Sequence, residues 1–209
     1  MKTAKLMGVC LCCVLLPVAC SKTASSATGG DLPTQSESTS SQPAMDASLK
    51  LFGVQLKGAD RKTFRVALLN DGLKLLRAGD WVDQYSPKGT LEGATVFEVG
   101  YAPGEDRFAY AEYKFASFVD AGQISRIVRL IESKYGPPDT TAGDPKVGEA
   151  SFQWNFPDRT FVRVSRGWPD TSTYLSFVDV ESLAKLRQQQ EAASARMERR
   201  KAQTQSDYF

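Results

Sequence analysis

Asp120-Ala121-Gly122-Gln123-Ile124, running on to Tyr135-Gly136-Pro137-Pro138 and then to Ser151-Phe152-Gln153-Trp154-Asn155-Phe156, is the stretch that decides the fold. Ile124, Ile127, Val128, Ile131 and Tyr135 recur at the spacing of one helix face, which predicts an amphipathic helix. Its start is marked by Asp120 as N-cap, Gln123 as capping-box partner, and Val119 with Ile124 as a hydrophobic staple. Gly136 suits a left-handed cap and the two prolines cannot continue the helix. Beyond them Phe152, Trp154 and Phe156 alternate with Ser151, Gln153 and Asn155, giving a strand with one face for the core and one for water. Further strands are expected at Thr160 to Arg166 and Thr173 to Asp179.

The same order occurs upstream. Asp60 precedes Phe64, Ala67 and Leu68 on one helical face, and Asn70-Asp71-Gly72 supplies a stop. Leu73 to Arg77, Trp81 to Tyr85, Ala94 to Tyr101 and Arg107 to Phe115 read as strands. Pro103-Gly104 fits the centre of a type II turn, since proline fixes a negative φ and glycine accepts a positive one. The chain therefore predicts one α+β domain over residues 49–180: an antiparallel sheet with two helices packed on one face, in a tandem helix-plus-strands duplication with halves at 49–116 and 117–180. Residues 181–209 turn rich in Gln, Ala, Glu and Arg. Leu183, Leu186, Ala193 and Met197 form only a sparse stripe, so this tail is expected to be a fraying, solvated helix or disordered. Arg196, Arg199, Arg200 and Lys201 give it cations to offer an acidic partner.

The N-terminus reads as an address. Lys2 and Lys5 precede an apolar run from Leu6 to Ala19, the pattern of an export signal over residues 1–19 and short for a membrane-spanning helix. An uncleaved anchor or an ordinary secreted protein is the alternative. Residues 20–48 follow as a Ser-rich stretch with almost no large apolar side chain, a composition that cannot offset the entropy of ordering. As a coil such a linker spans roughly 30 Å, and fully stretched about 95 Å.

Leu16-Pro17-Val18-Ala19-Cys20 resembles the lipobox of bacterial lipoproteins. That resemblance implies acylation of Cys20, cleavage before it, and attachment to a membrane through lipid; Pro17 stands where the family prefers Leu or another apolar residue. Ser21 rather than Asp after the cysteine implies the outer membrane of the bacterial envelope, facing the periplasm. The order around Leu130-Ile131-Glu132-Ser133-Lys134-Tyr135-Gly136-Pro137-Pro138 is similar to small BamE-like outer-membrane lipoproteins, and its duplication is similar to the β-lactamase-inhibitor-protein fold. The first helix begins Lys57-Gly58-Ala59-Asp60 instead of the Gly-Met-Thr of BamE-like proteins, so no binding residue is carried over. Tyr110-Ala111-Glu112-Tyr113 through Ser165-Arg166-Gly167-Trp168-Pro169-Asp170 also resembles uncharacterised proteobacterial lipoproteins, which implies no activity.

Composition narrows the chemistry. The chain of 209 residues has no histidine, which removes Ser-His-Asp and Cys-His catalysis and His-based metal sites together. All four cysteines lie within residues 10–20, so no disulfide can staple the domain. Removing the signal takes two lysines from 26 cationic side chains, leaving 24 against 24 acidic ones, and no clustered surplus for nucleic acid. Ser182-Leu183-Ala184-Lys185 matches the Ser-x-x-Lys of penicillin-recognising enzymes, but without the companion motifs. Glu98, Glu112 and Asp179 lie on expected strands and could approach one another, as carboxylate-based hydrolysis requires. Trp168, Pro169 and Asp170, in a loop between strands, are the candidate interaction surface, since Trp is enriched in binding hot spots. The expectation is a non-catalytic lipoprotein with an envelope protein partner, no nucleic acid, no cofactor and no metal. An inhibitor or ligand-binding module, or a carboxylate-based hydrolase, is the alternative.

Overall fold

The structure is a computed structural model that describes residues 48–208 apart from 88, 118, 119, 121 and 207. The export signal, Cys20, the linker up to residue 47 and the expected staple residue Val119 lie outside the described residues.

A short hairpin of β1 (Lys50–Leu51) and β2 (Val54–Gln55) leads into α1 (Arg61–Asn70). Asp60 caps that helix, accepting from the Thr63 amide at 2.9 Å and its hydroxyl at 2.7 Å. Four strands follow: β3 (Lys74–Ala78), β4 (Val82–Ser86), β5 (Ala94–Ala102) and β6 (Arg107–Phe115). Then come α2 (Gln123–Tyr135), β7 (Thr140–Gly143), β8 (Ala150–Asn155), β9 (Thr160–Arg166), β10 (Thr173–Asp179) and α3 (Val180–Ser206). The eight long-sheet strands run β3-β4-β5-β6-β10-β9-β8-β7, antiparallel throughout, so α1 and α2 are each followed by a four-stranded meander and the meanders join through their last strands. The tandem helix-plus-strands order of the sequence is thus the order of the fold.

The register explains where the core sits. Tyr85, Phe97, Tyr113, Leu175, Val164 and Phe152 are cross-strand neighbours in one row, and the stacked Phe97 and Tyr113 rings lie 4.2 Å apart. On this face α1 inserts Phe64 and Leu68, with Phe64 edge-on to Phe108 at 5.3 Å, and α2 inserts Ile124, Ile127, Val128 and Ile131. Trp154 fixes the end of α2, its indole N–H donating to the Gly136 carbonyl at 2.8 Å.

Three local expectations change. The capping box at α2 does not form: Asp120 accepts from the Gly122 amide at 2.9 Å, Gly122 occupies the cap, and Gln123 is drawn into the helix as a buried first residue that pairs with Arg126. The strand β7 has no counterpart in the sequence pattern, because all four of its residues are exposed and none alternates. The tail is not simply a solvated helix. Asp179 caps α3, and Leu186 is completely buried, while everything from Arg196 to Ser206 is exposed. Among the described residues no helix is long and apolar enough to cross a membrane.

Candidate functional site

The face of the sheet turned away from α1 and α2 carries a polar row. Gln84, Glu98, Glu112, Ser176, Arg163 and Gln153 are successive cross-strand neighbours on β4, β5, β6, β10, β9 and β8. They bond along the row: the Gln84 amide to Glu98 at 3.2 Å, the Ser176 hydroxyl to Glu112 at 2.7 Å, and the Arg163 guanidinium to Gln153 Oε1 at 3.0 and 2.6 Å. Glu98 and Glu112 stand directly opposite each other, a placement that costs energy when both are charged. Burial pushes the Glu112 carboxyl above its ordinary range; the Ser176 hydrogen bond opposes this and the Glu98 charge adds to it. Burial and the same two carboxylates raise the neighbouring Tyr110 hydroxyl to about 12.

Helix α3 roofs this row. Between helix and sheet lies a half-enclosed cavity of about 320 Å³, walled by Tyr110, Glu112, Phe161 and Arg163 from the strands and by Arg187 and Gln190 from the helix. The structure thus joins two of the three carboxylates singled out in the sequence. Asp179 is elsewhere, spent on the α3 cap and on Lys57 at 3.2 Å. Ser182 is buried at the start of α3 whereas Lys185 is exposed, so the Ser-x-x-Lys spacing builds no shared site. On the opposite face a larger groove of about 600 Å³ is mainly apolar, walled by Leu51, Leu130, Tyr113, Leu175 and Phe177 among others.

The loop between β9 and β10 holds Trp168, Pro169 and Asp170. Asp170 is committed to shaping it: its carboxylate accepts from the Ser172 amide at 3.0 Å, the Ser172 hydroxyl at 2.6 Å and the Tyr174 hydroxyl at 2.9 Å, with Lys114 Nζ at 3.6 Å. Those donors, the Ser172 hydroxyl first, bring its pKa down to about 2. Trp168, joined to Pro169 by a cis peptide bond, is left 68% exposed. By contrast the strand aromatics Tyr85, Tyr101, Tyr113 and Trp154 are buried in the core. The sequence reading missed Phe161, Arg163, Arg187 and Gln190. The available signal was that Leu183, Leu186, Gln190 and Ala193 share one helical face, which places Gln190 and its neighbour Arg187 beside the buried stripe.

No protein-family model matches the chain, and no curated protein matches it. Among solved structures it is similar to YjgB of Bacillus subtilis, a DUF4309 family protein, at 13% identity and a TM-score of 0.39, over 64% of this chain and 88% of that one.

Proposed function

We propose that the chain is a lipid-anchored bacterial envelope protein whose domain binds a partner without catalysis, held at the periplasmic side of the outer membrane by Cys20. The observation that carries the binding role is Trp168: a large amphipathic ring, mostly in water, on a loop that Asp170 pins at four donor groups. Burying such a ring is favourable, and a pinned loop has little ordering entropy left to lose on binding. The anchor rests on the lipobox-like Leu16 to Cys20, and the Ser-rich residues that follow supply reach.

The second reading is a carboxylate-based hydrolase, favoured by the opposed Glu98 and Glu112. It ranks lower because each of these carboxylates is already tied to a neighbour, Gln84 or Ser176, within the row.

Affinity purification from cells, comparing the wild type with Trp168→Ala, tests the leading reading. A partner recovered with the wild type and reduced at least about tenfold with the variant is expected, the size of a single hot-spot loss. Equal recovery with both removes Trp168 from the interface. Intact-mass measurement of the purified wild type checks the anchor, with an acylated Cys20 expected and an unmodified thiol contradicting it.

A further inference from the structure

We propose that the cavity between the polar sheet face and α3 is a saccharide site, taking one or two neutral pyranose rings of a glycan. This deepens the interaction reading by naming a ligand class for the domain.

A purely structural helix contact would be built differently. Helix and sheet normally interlock through apolar side chains packed as densely as a crystal. Here Leu186 is the one α3 side chain among the described residues that is both large and fully buried; Arg187 and Gln190, which wall the cavity, are polar. The space left between them and the sheet is about 320 Å³, at the lower end of small-ligand sites, which run from about 300 to 1,000 Å³. That size admits a ring or two and no folded partner.

The wall has the chemistry to match. A sugar hydroxyl donates one hydrogen bond and accepts two, so a ring of hydroxyls asks for donors and acceptors interspersed. Glu112 supplies the acceptor: Ser176 occupies Oε2 and Oε1 has no partner among the described residues. Arg163 is held in place through Nε and Nη2 by Gln153, leaving Nη1 uncommitted. Arg187 forms no hydrogen bond or ion pair with any described residue, and the Tyr110 hydroxyl likewise has none although its ring is largely covered. Carboxylate, guanidinium and amide are planar groups that reach two adjacent hydroxyls at once. Leu183 gives the C–H face of a pyranose an apolar surface, while the Phe161 ring is stacked by the Arg163 guanidinium at 4.9 Å and helps to hold it in place. The polar wall disfavours a hydrocarbon, and Glu112 set among Arg163 and Arg187 mixes both signs of charge, so phosphate is the competitor that the test separates from sugar.

The surface also leads onward. Ser165, also in the cavity wall, is the cross-strand neighbour of Tyr174, and Tyr174 holds Asp170 of the Trp168 loop. A glycan seated under α3 can continue toward that indole.

The test is amide NMR of the full mature chain in detergent micelles, titrated with N-acetylglucosamine, with its β-1,4-linked tetramer, with glycine as a zwitterion and with inorganic phosphate. Saturable shifts at Ser165, Arg187 and Gln190 with both sugars, tighter for the tetramer, are expected. Arg187→Ala should weaken them about tenfold, the loss of one charged hydrogen-bond partner, and Arg187→Lys less. Ser165→Ala provides a second variant should Arg187→Ala disturb the fold. Absence of saturable shifts with either sugar, shifts indifferent to both alanine variants, or saturation by glycine or phosphate in preference to sugar would overturn the assignment. Sugar binding that persists when Trp168-dependent capture fails sinks the partner reading and keeps this one.

Discussion

Glu112 shows how one residue reports on the whole polar face. Its carboxyl is raised by burial and by Glu98, so the folded state holds the proton more tightly than the unfolded chain does. The stability this contributes is therefore present below the unfolded carboxyl pKa of about 4.3 and is lost as pH rises through the folded value. Glu112→Gln, which stays neutral and can still accept from Ser176, should melt at a higher temperature than the wild type near pH about 7 and show no such gain near pH about 4. Thermal unfolding at the two pH values checks it; a variant less stable at both would mean that the ionised pair is favourable. At this scale the sequence is only partly legible. The alternation in Trp81 to Tyr85 marks a strand, but does not say that Asp83 faces inward with Tyr85. It can do so because Arg61 and Arg65, one turn apart on α1, reach it at 2.6 and 2.7 Å. Burial pushes that carboxyl up, yet the two guanidiniums outweigh it and hold it below its ordinary range.

Elements were legible where apolar periodicity is strong. The stripe of α2 buries Ile124, Ile127, Val128 and Ile131 with Tyr135 packed against the core, and β8 turns Trp154 and the partly buried Phe152 to it, so pattern and structure agree. The start of α2 departs because Asp120 serves the Gly122 amide, an Asx-type local bond that competes with the expected cap. Strand β7 is read poorly because an edge strand with both faces in water needs no alternation; backbone pairing with β8 alone makes it. Helix α3 was hardest. Its contact with the sheet rests on one large buried side chain, Leu186, within an otherwise polar helix, and a single leucine in a polar run gives no period. Leu186→Ala should therefore cost about 2 to 3 kcal/mol and loosen α3 first, seen as faster amide exchange in residues 182–195 than in α2. Equal loosening of both helices would mean that α3 is integral to the core.

At the scale of the whole molecule, the tandem order divides the labour between two faces. The helix face, with Phe64, Leu68, Ile127 and Ile131 over the aromatic row, supplies the core, so the opposite face is free to carry Glu98, Glu112, Arg163 and the α3 roof. Each half contributes one helix and four strands of the long sheet, and β6 and β10 join the halves through six residue pairs. Sequence order made that duplication readable, whereas which face remains for binding depended on α3. A domain built this way on a long polar linker and a lipid would search the space next to its membrane with the Trp168 loop exposed. The most direct measurement is photo-crosslinking in living cells with the reactive side chain at position 168, and at exposed Lys185 as a control, in the wild type and in Cys20→Ser. A discrete adduct at 168, absent at 185 and strongly diminished when the lipid site is gone, is expected. An adduct pattern identical at both positions, or undiminished in Cys20→Ser, would contradict the anchored binding role.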